Sequence, residues 1–203
     1  MPKINIERDP RLFAEAITSK SSPHKLALGL DLGTTTGYAY TYFEPNVPTK
    51  KSGVAMGQWN LSAGPYDSGA IRFVRLRQFL SILMPDLVLF EDVRYTPQRG
   101  NKFTVGAIIA RAANAGELFG AFKATLCTWC EENNVPCQGI GIGQIKKFAT
   151  NKGNANKVEM IEACNAKFQT EFDVDDYEST GVDNIADAAF VMAMGLDAYI
   201  GGL

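Results

Sequence analysis

Apolar positions along the chain fall into short runs and helical stripes, and the change between the two periods marks out its elements. Lys25–Leu32 (KLALGLDL) predicts a strand covered on both faces, and Gly37–Phe43 (GYAYTYF) alternates as its antiparallel neighbour would. The turn EPNVPTKKSG leads to a third strand, Val54–Trp59. Asp67–Met84 places Ile71, Val74, Leu76, Phe79, Leu80 and Leu83 mostly on one helical face, and Pro85 stops it. DLVLFEDV, Asp86–Val93, predicts a buried fourth strand that ends on Glu91. After the loop RYTPQRGNK, Phe103–Glu132 predicts a long helix. Its small residues (Gly106, Ala107, Ala110, Ala113, Gly116, Gly120) suit close approach by a neighbour, and its glycines favour a kink or break. A fifth strand (Val135–Ile142), a short helix (Ile145–Thr150), a helix (Lys157–Phe168), an acidic loop (EFDVDDYEST) and a final helix (Val182–Ala198) follow.

Three strands expected to pair antiparallel, then strands separated by helices, predict an α/β fold on a mixed five-stranded sheet. Residues 1–24 read as an N-terminal extension, with a short helix in ERDPRLFAEAITSK and a linker in SSPHK; residues 25–203 form one domain. The pattern contains no internal repeat and no low-complexity tract.

Composition narrows the class. A chain of 203 residues, 46% hydrophobic and 21% charged, can bury a core without staples. The start, MPKINIERDPRLF, has no apolar signal-like stretch, and no apolar run has membrane-spanning length, so a cytoplasmic protein with no membrane partner is expected. Of the four cysteines, Cys127 and Cys130 form a CxxC, but inside a helical pattern; with His24 the sole histidine, buried reduced thiols are the expectation for all four.

Net charge is only −2, yet Arg94 to Lys157 holds nine Lys/Arg against three Glu, a local excess of +6 that leaves −8 for the remainder. Such asymmetry fits a polyanion-binding face, and it also fits an ordinary solvated surface.

Four carboxylates carry the candidate chemistry. Asp31 ends the first strand inside LALGLDLGTTTGYAY, where three readings stand open: a phosphate cradle, a metal ligand, or a plain hairpin. Glu91 ends the fourth strand; if the two strands are neighbours, the acids meet at one sheet edge. Asp183 and Asp187 are four apart in VDNIADAAFVMA and share a helix face. Asp183 is also a natural helix N-cap, whereas Asp187 lies a turn further in among alanines. Gathered carboxylates repel unless cations neutralise them, and an oxygen-only donor set selects hard ions such as Mg²⁺ or Mn²⁺. Two such ions can clamp a phosphodiester.

DLGTTTGYA, LFED, GIGQIKKFATNKGNANK and DNIADAAF, in this order, resemble the RuvC-type Holliday junction resolvases of the ribonuclease H-like superfamily, in a form similar to phage-encoded members. The resemblance spans about Lys25 to Gly195. It implies a ribonuclease H-like fold with helices on both sheet faces and a homodimeric crossover junction endodeoxyribonuclease. Such an enzyme nicks opposing strands of a four-way DNA junction in recombination and repair, using Mg²⁺ (Mn²⁺ substituting), two ions per site; its place would be the cytoplasm, the host's if phage-encoded. Asp31, Glu91, Asp183 and Asp187 match the family's acidic tetrad, and Lys157 matches a lysine that reaches the scissile phosphate. Lys146, Lys147 and Lys152 match the backbone-binding tract. Arg94, Tyr95, Arg99 and Lys102 join them as expected DNA contacts, with Tyr95 either stacking on junction bases or lying as a plain loop tyrosine.

The chain departs from the pattern in places. Bacterial members usually space the last two acids by three, a position held here by Asn184. Residues 1–24 and PTKKSGVAMGQWNLSAGPYDSG have no counterpart. Rival readings are a nuclease for flaps and forks, a non-catalytic DNA-binding module on the same fold, and an actin- or sugar-kinase-like ATPase using DLGTTTG as a phosphate hairpin. The last needs a second lobe that the chain does not show.

Overall fold

A computed structural model describes residues 24–45, 53–93 and 105–201. The elements are β1 (Lys25–Asp31), β2 (Thr35–Phe43), β3 (Ala55–Asn60), α1 (Ile71–Leu83), β4 (Leu87–Asp92), α2 (Val105–Glu132), β5 (Cys137–Gly141), α3 (Ile142–Thr150), α4 (Lys157–Phe168), α5 (Tyr177–Thr180) and α6 (Val182–Gly201). They build one five-stranded sheet in the order β3-β2-β1-β4-β5. β1, β2 and β3 pair antiparallel, while β4 lies parallel to β1 and β5 parallel to β4.

Side-chain alternation sorts β1 onto two helical layers. Leu26, Leu28 and Leu30 point to one core with Leu76 and Leu80 of α1 and Phe122, Leu126 and Trp129 of α2. Ala27 points to the other, with Phe190, Val191 and Met192 of α6 and Met160 and Ile161 of α4. β4 repeats the division: Val88 and Phe90 face α1 and α2, and Leu87 and Leu89 face α6. Both faces of the sheet are therefore covered, which is why these strands read as near-continuous apolar runs.

The face under α6 is built small. A Cβ on Gly29 would lie 2.5 Å from the Ala188 carbonyl oxygen, and one on Gly37 would overlap the Asn184 carbonyl. Glycine at these positions lets α6 press against the middle of the sheet, with its N-terminus at the end where β1 and β4 finish.

Several boundaries differ from the sequence expectation. β2 starts at Thr35, because the turn after Asp31 closes in three residues: the Thr36 hydroxyl donates to the Gly33 carbonyl at 2.6 Å and accepts the Gly33 N–H at 3.2 Å. α1 starts at Ile71, since residues 64–67 form a turn. α2 runs unbroken from Val105 to Glu132 despite its glycines. α3 begins at Ile142, where the Gln144 side chain accepts the Gly141 N–H and turns the chain out of β5. The acidic loop contains the short helix α5. The expected helix and linker within residues 1–24 lie outside the described residues, His24 apart. Among the described residues, no helix is long and apolar enough to cross a membrane.

Candidate metal centre

The parallel register pairs Leu30 with Phe90, so Asp31 and Glu91 are the next residues on adjoining strands. Both continue the sequence positions that face α6. Asp187, on the second turn of α6, completes the group: one carboxylate oxygen from each of Asp31, Glu91 and Asp187 lies within 4.8 Å of the others. Glu91 is buried, and Asp31 and Asp187 are half-buried. Asp31 also pairs with Gly37 across the β1–β2 hairpin. The hairpin reading of DLGTTTG is thus realised, and its first residue stands in the carboxylate group.

Close approach out of water makes these groups hold protons tightly. Burial, then the charges of Glu91, Asp187 and Asp183, raises Asp31 well above the usual carboxylate range. Burial and Asp187 push Glu91 up to about 7, with Lys146 opposing. Burial pushes Asp187 up to about 6, again against Lys146, whose charge lowers it. Three carboxylates destabilised by one another, with oxygen donors only, form a donor set that suits a hard divalent cation. Among the described residues no other His, Cys, Asp or Glu cluster offers three ligand atoms so close together.

Asp183 lies outside this 4.8 Å group, although its charge acts on both Asp31 and Asp187. It lies in the first turn of α6, not at its N-cap, and it is buried. Its Oδ2 accepts a hydrogen bond from Lys157 Nζ at 2.5 Å. That bond raises the lysine's pKa, and the ammonium lies 5.4 Å from the centre of the Tyr177 ring. Asn184, at the spacing where bacterial members carry an acid, donates its side-chain amide to the Thr35 carbonyl at 3.3 Å and ties α6 to the start of β2.

The basic tract surrounds the centre unevenly. Lys146 is half-buried on α3, close enough for its charge to act on both Glu91 and Asp187. Lys147 is exposed in the last turn of that helix. Lys152 is exposed but bonded to Glu159 at 2.6 Å. Glu159 also caps α4, accepting the Asn156 N–H while Asn156 accepts its own. Arg94, Tyr95, Arg99 and Lys102 lie outside the described residues. Tyr177 was not singled out from the sequence, where it is one of two aromatics in the acidic stretch EFDVDDYEST, and Asn184 was noted only as standing where an acid is usual. The four cysteines are free thiols, Cys130 and Cys164 buried and Cys127 and Cys137 half-buried.

No protein-family model and no curated protein sequence matches the chain. Among solved structures, RuvC of Thermus thermophilus matches with a TM-score of 0.56 at 16% identity, covering 87% of this chain and 96% of that one. The structure of T. thermophilus RuvC in complex with a Holliday junction substrate matches at 0.57 and 17% identity, over 88% and 97% of the two chains. The mixed sheet with helices on both faces is thus a ribonuclease H-like fold of the RuvC kind, as the resemblance implied.

Proposed function

We propose that this protein is a divalent-cation-dependent endonuclease of the RuvC type, similar to phage-encoded members, that resolves four-way DNA junctions by paired nicks. The observation that carries the reading is the convergence of Asp31, Glu91 and Asp187 within 4.8 Å at the ends of the two central parallel strands of a RuvC-like sheet. The solved neighbour bound to a Holliday junction supports branched DNA as the substrate class. The protein acts as a homodimer, so that two centres address opposing strands, and it works in the cytoplasm on recombination or repair intermediates. Residues 25–203 form the nuclease domain and residues 1–24 an extension.

Asp31, Glu91 and Asp187 would hold Mg²⁺ or Mn²⁺, two ions per site. When bound, such ions supply Lewis-acid activation of water and neutralise charge at the phosphate. The chain's own residues do the rest. Asp183 holds Lys157 at the rim, where an ammonium whose side chain is 60% exposed can turn to a phosphate oxygen. Lys146 offsets part of the trio's charge on the side where the strand backbone must approach. Lys147 and Lys152, with Arg94, Tyr95, Arg99 and Lys102, extend the contact along the DNA.

The test is cleavage of an end-labelled four-way junction beside matched duplex, flap and fork, in Mg²⁺, Mn²⁺ and EDTA. Paired symmetric nicks in the junction, abolished by EDTA, are expected. Cutting confined to flaps and forks would move the substrate to other branched DNA. Cutting of none of them would remove the reading.

A further inference from the structure

Two contacts hold the Lys157 ammonium, and both come from the strap that leads into α6. Asp183 accepts its hydrogen bond, and earlier in the strap Tyr177 presents its ring 5.4 Å from Nζ. The strap itself is fixed. The Asp176 side chain accepts the Ser179 hydroxyl at 2.6 Å, and the Asp176 carbonyl accepts the Thr180 hydroxyl at 2.7 Å. Gly181 N–H donates to the Tyr177 carbonyl at 2.8 Å, and Gly181, at φ +68°, turns the chain from α5 into α6. From β3, the Gln58 side-chain amide donates to the Thr180 carbonyl at 3.0 Å. A Cβ on Gly181 would lie 2.5 Å from the Gln58 Oε1, so glycine serves both the turn and the tie. Tyr177 is half-buried against the core that α4 and α6 share with the sheet, which fixes where its ring lies.

Lys157 needs such support. It is the first residue of α4, and its flexible side chain is 60% exposed. Its charge nevertheless reaches Asp31 and Asp187, which places the ammonium beside the carboxylate trio. An ammonium has three donors, and Asp183 takes one. An aromatic face attracts the cation through its quadrupole and fixes no donor direction, so the other donors stay open to a phosphate oxygen. The ring also adds no negative charge. A second carboxylate in its place would oppose the polyanion whose phosphate the lysine must meet.

The geometry points to Tyr177 as a positioning residue for Lys157: its ring and the Asp183 carboxylate form a clamp that keeps the ammonium at the rim of the trio, ready for a phosphate oxygen. The inference rests on the nuclease reading and adds to it the device that aims its lysine. Tyr177 acts through Lys157 and touches no reacting atom.

The test is a double-mutant cycle on the full chain, read as single-turnover cleavage of a four-way junction. Tyr177→Leu keeps apolar bulk and removes the ring; it should cut about tenfold more slowly, with junction affinity in EDTA unchanged. Tyr177→Phe should cut at the wild-type rate, because the ring and not the hydroxyl is at work. In a Lys157→Gln background, Tyr177→Leu should cost nothing further, whereas a merely structural residue would slow both backgrounds alike. A second readout needs neither metal nor a Tyr177 variant. In EDTA, the NMR signals of the Lys157 ε-methylene, assigned by their loss in Lys157→Gln, should be shifted upfield by the ring. If the wild type nicks junctions while Tyr177→Leu matches its rate, or slows Lys157→Gln by the same factor, the inference falls and the nuclease reading stands. Unshifted ε-methylene signals have the same consequence. If the wild type cuts no branched DNA, the nuclease reading falls and takes the clamp's role with it.

Discussion

Lys157 Nζ bonds Asp183 Oδ2 across 26 residues of sequence, and this pair divides four acids at the ends of β1 and β4 into a trio and a lysine anchor. The acid's side chain is 10% exposed and the lysine's 60%, so the bond positions a mobile ammonium on a fixed carboxylate. Lys157→Gln should therefore reduce single-turnover cleavage by about a hundredfold, through lost charge at the phosphate. Because the ammonium is largely solvated, stability should change by no more than about 1 kcal/mol. Rates measured beside urea denaturation separate the two effects.

The trio repels itself, and that repulsion should be visible without any substrate. Asp187→Asn, measured in EDTA at pH 8, should raise the unfolding midpoint by a few degrees, since it removes one of three crowded charges. With excess Mg²⁺ the order should reverse, because the wild type gains from the cation and the variant gains less. Calorimetry under both conditions checks the crossing.

The pH dependence has a definite sign. Glu91 and Asp187 have folded pKa values, about 7 and about 6, above their ordinary 4.5 and 3.8. Between these values the folded protein holds more protons than the unfolded chain, so metal-free stability should fall as pH rises from about 4 through 7. The same protons compete with cations, so Mg²⁺ affinity should weaken as pH drops from 7 to 6. Denaturation and titration calorimetry across that range test both.

The approach of α6 to the sheet is a separate, purely structural claim. Gly37→Ala would drive a methyl from β2, opposite Asp31, into the Asn184 carbonyl of α6, the helix that carries Asp187. It should cost about 3 kcal/mol in stability and reduce cleavage along with it. Chemical denaturation of Gly37→Ala, with Gly69→Ala as a control where a Cβ meets open space, checks this.

Salt dependence should sort the lysines. Lys147→Ala should lower the slope of log affinity against log salt by about 1, the value for one phosphate contact. Lys152→Ala should lower it less, because Glu159 already holds that ammonium. Binding isotherms at several salt concentrations read the slopes.

Much of this was legible in the sequence, and the remainder was hidden for physical reasons. The placing of Asp31 and Glu91 at strand ends follows from two apolar runs that each stop on an acid, whereas the pairing of those two strands as neighbours was a condition that only the sheet order meets. The helix face shared by Asp183 and Asp187 follows from their spacing. That Asp183 turns to Lys157 while Asp187 turns to the strands depends on where α4 docks, and no local pattern encodes it. The fifth strand was expected to reach Ile142 and the helix to start at Ile145; the Gln144 side chain, bonding back to Gly141, starts the helix at Ile142 instead. The turn at residues 64–67 was only an unmatched stretch until Arg75, from the next helix, was seen to close it.

The most direct measurement starts from preformed complexes of a four-way junction with the wild type and with Asp31→Asn, assembled in EDTA and then supplied with excess Mg²⁺. Both proteins should bind equally, with paired nicks appearing only in the wild type and only after Mg²⁺. Nicking by Asp31→Asn at the wild-type rate, or nicking by the wild type before Mg²⁺ is added, would contradict this.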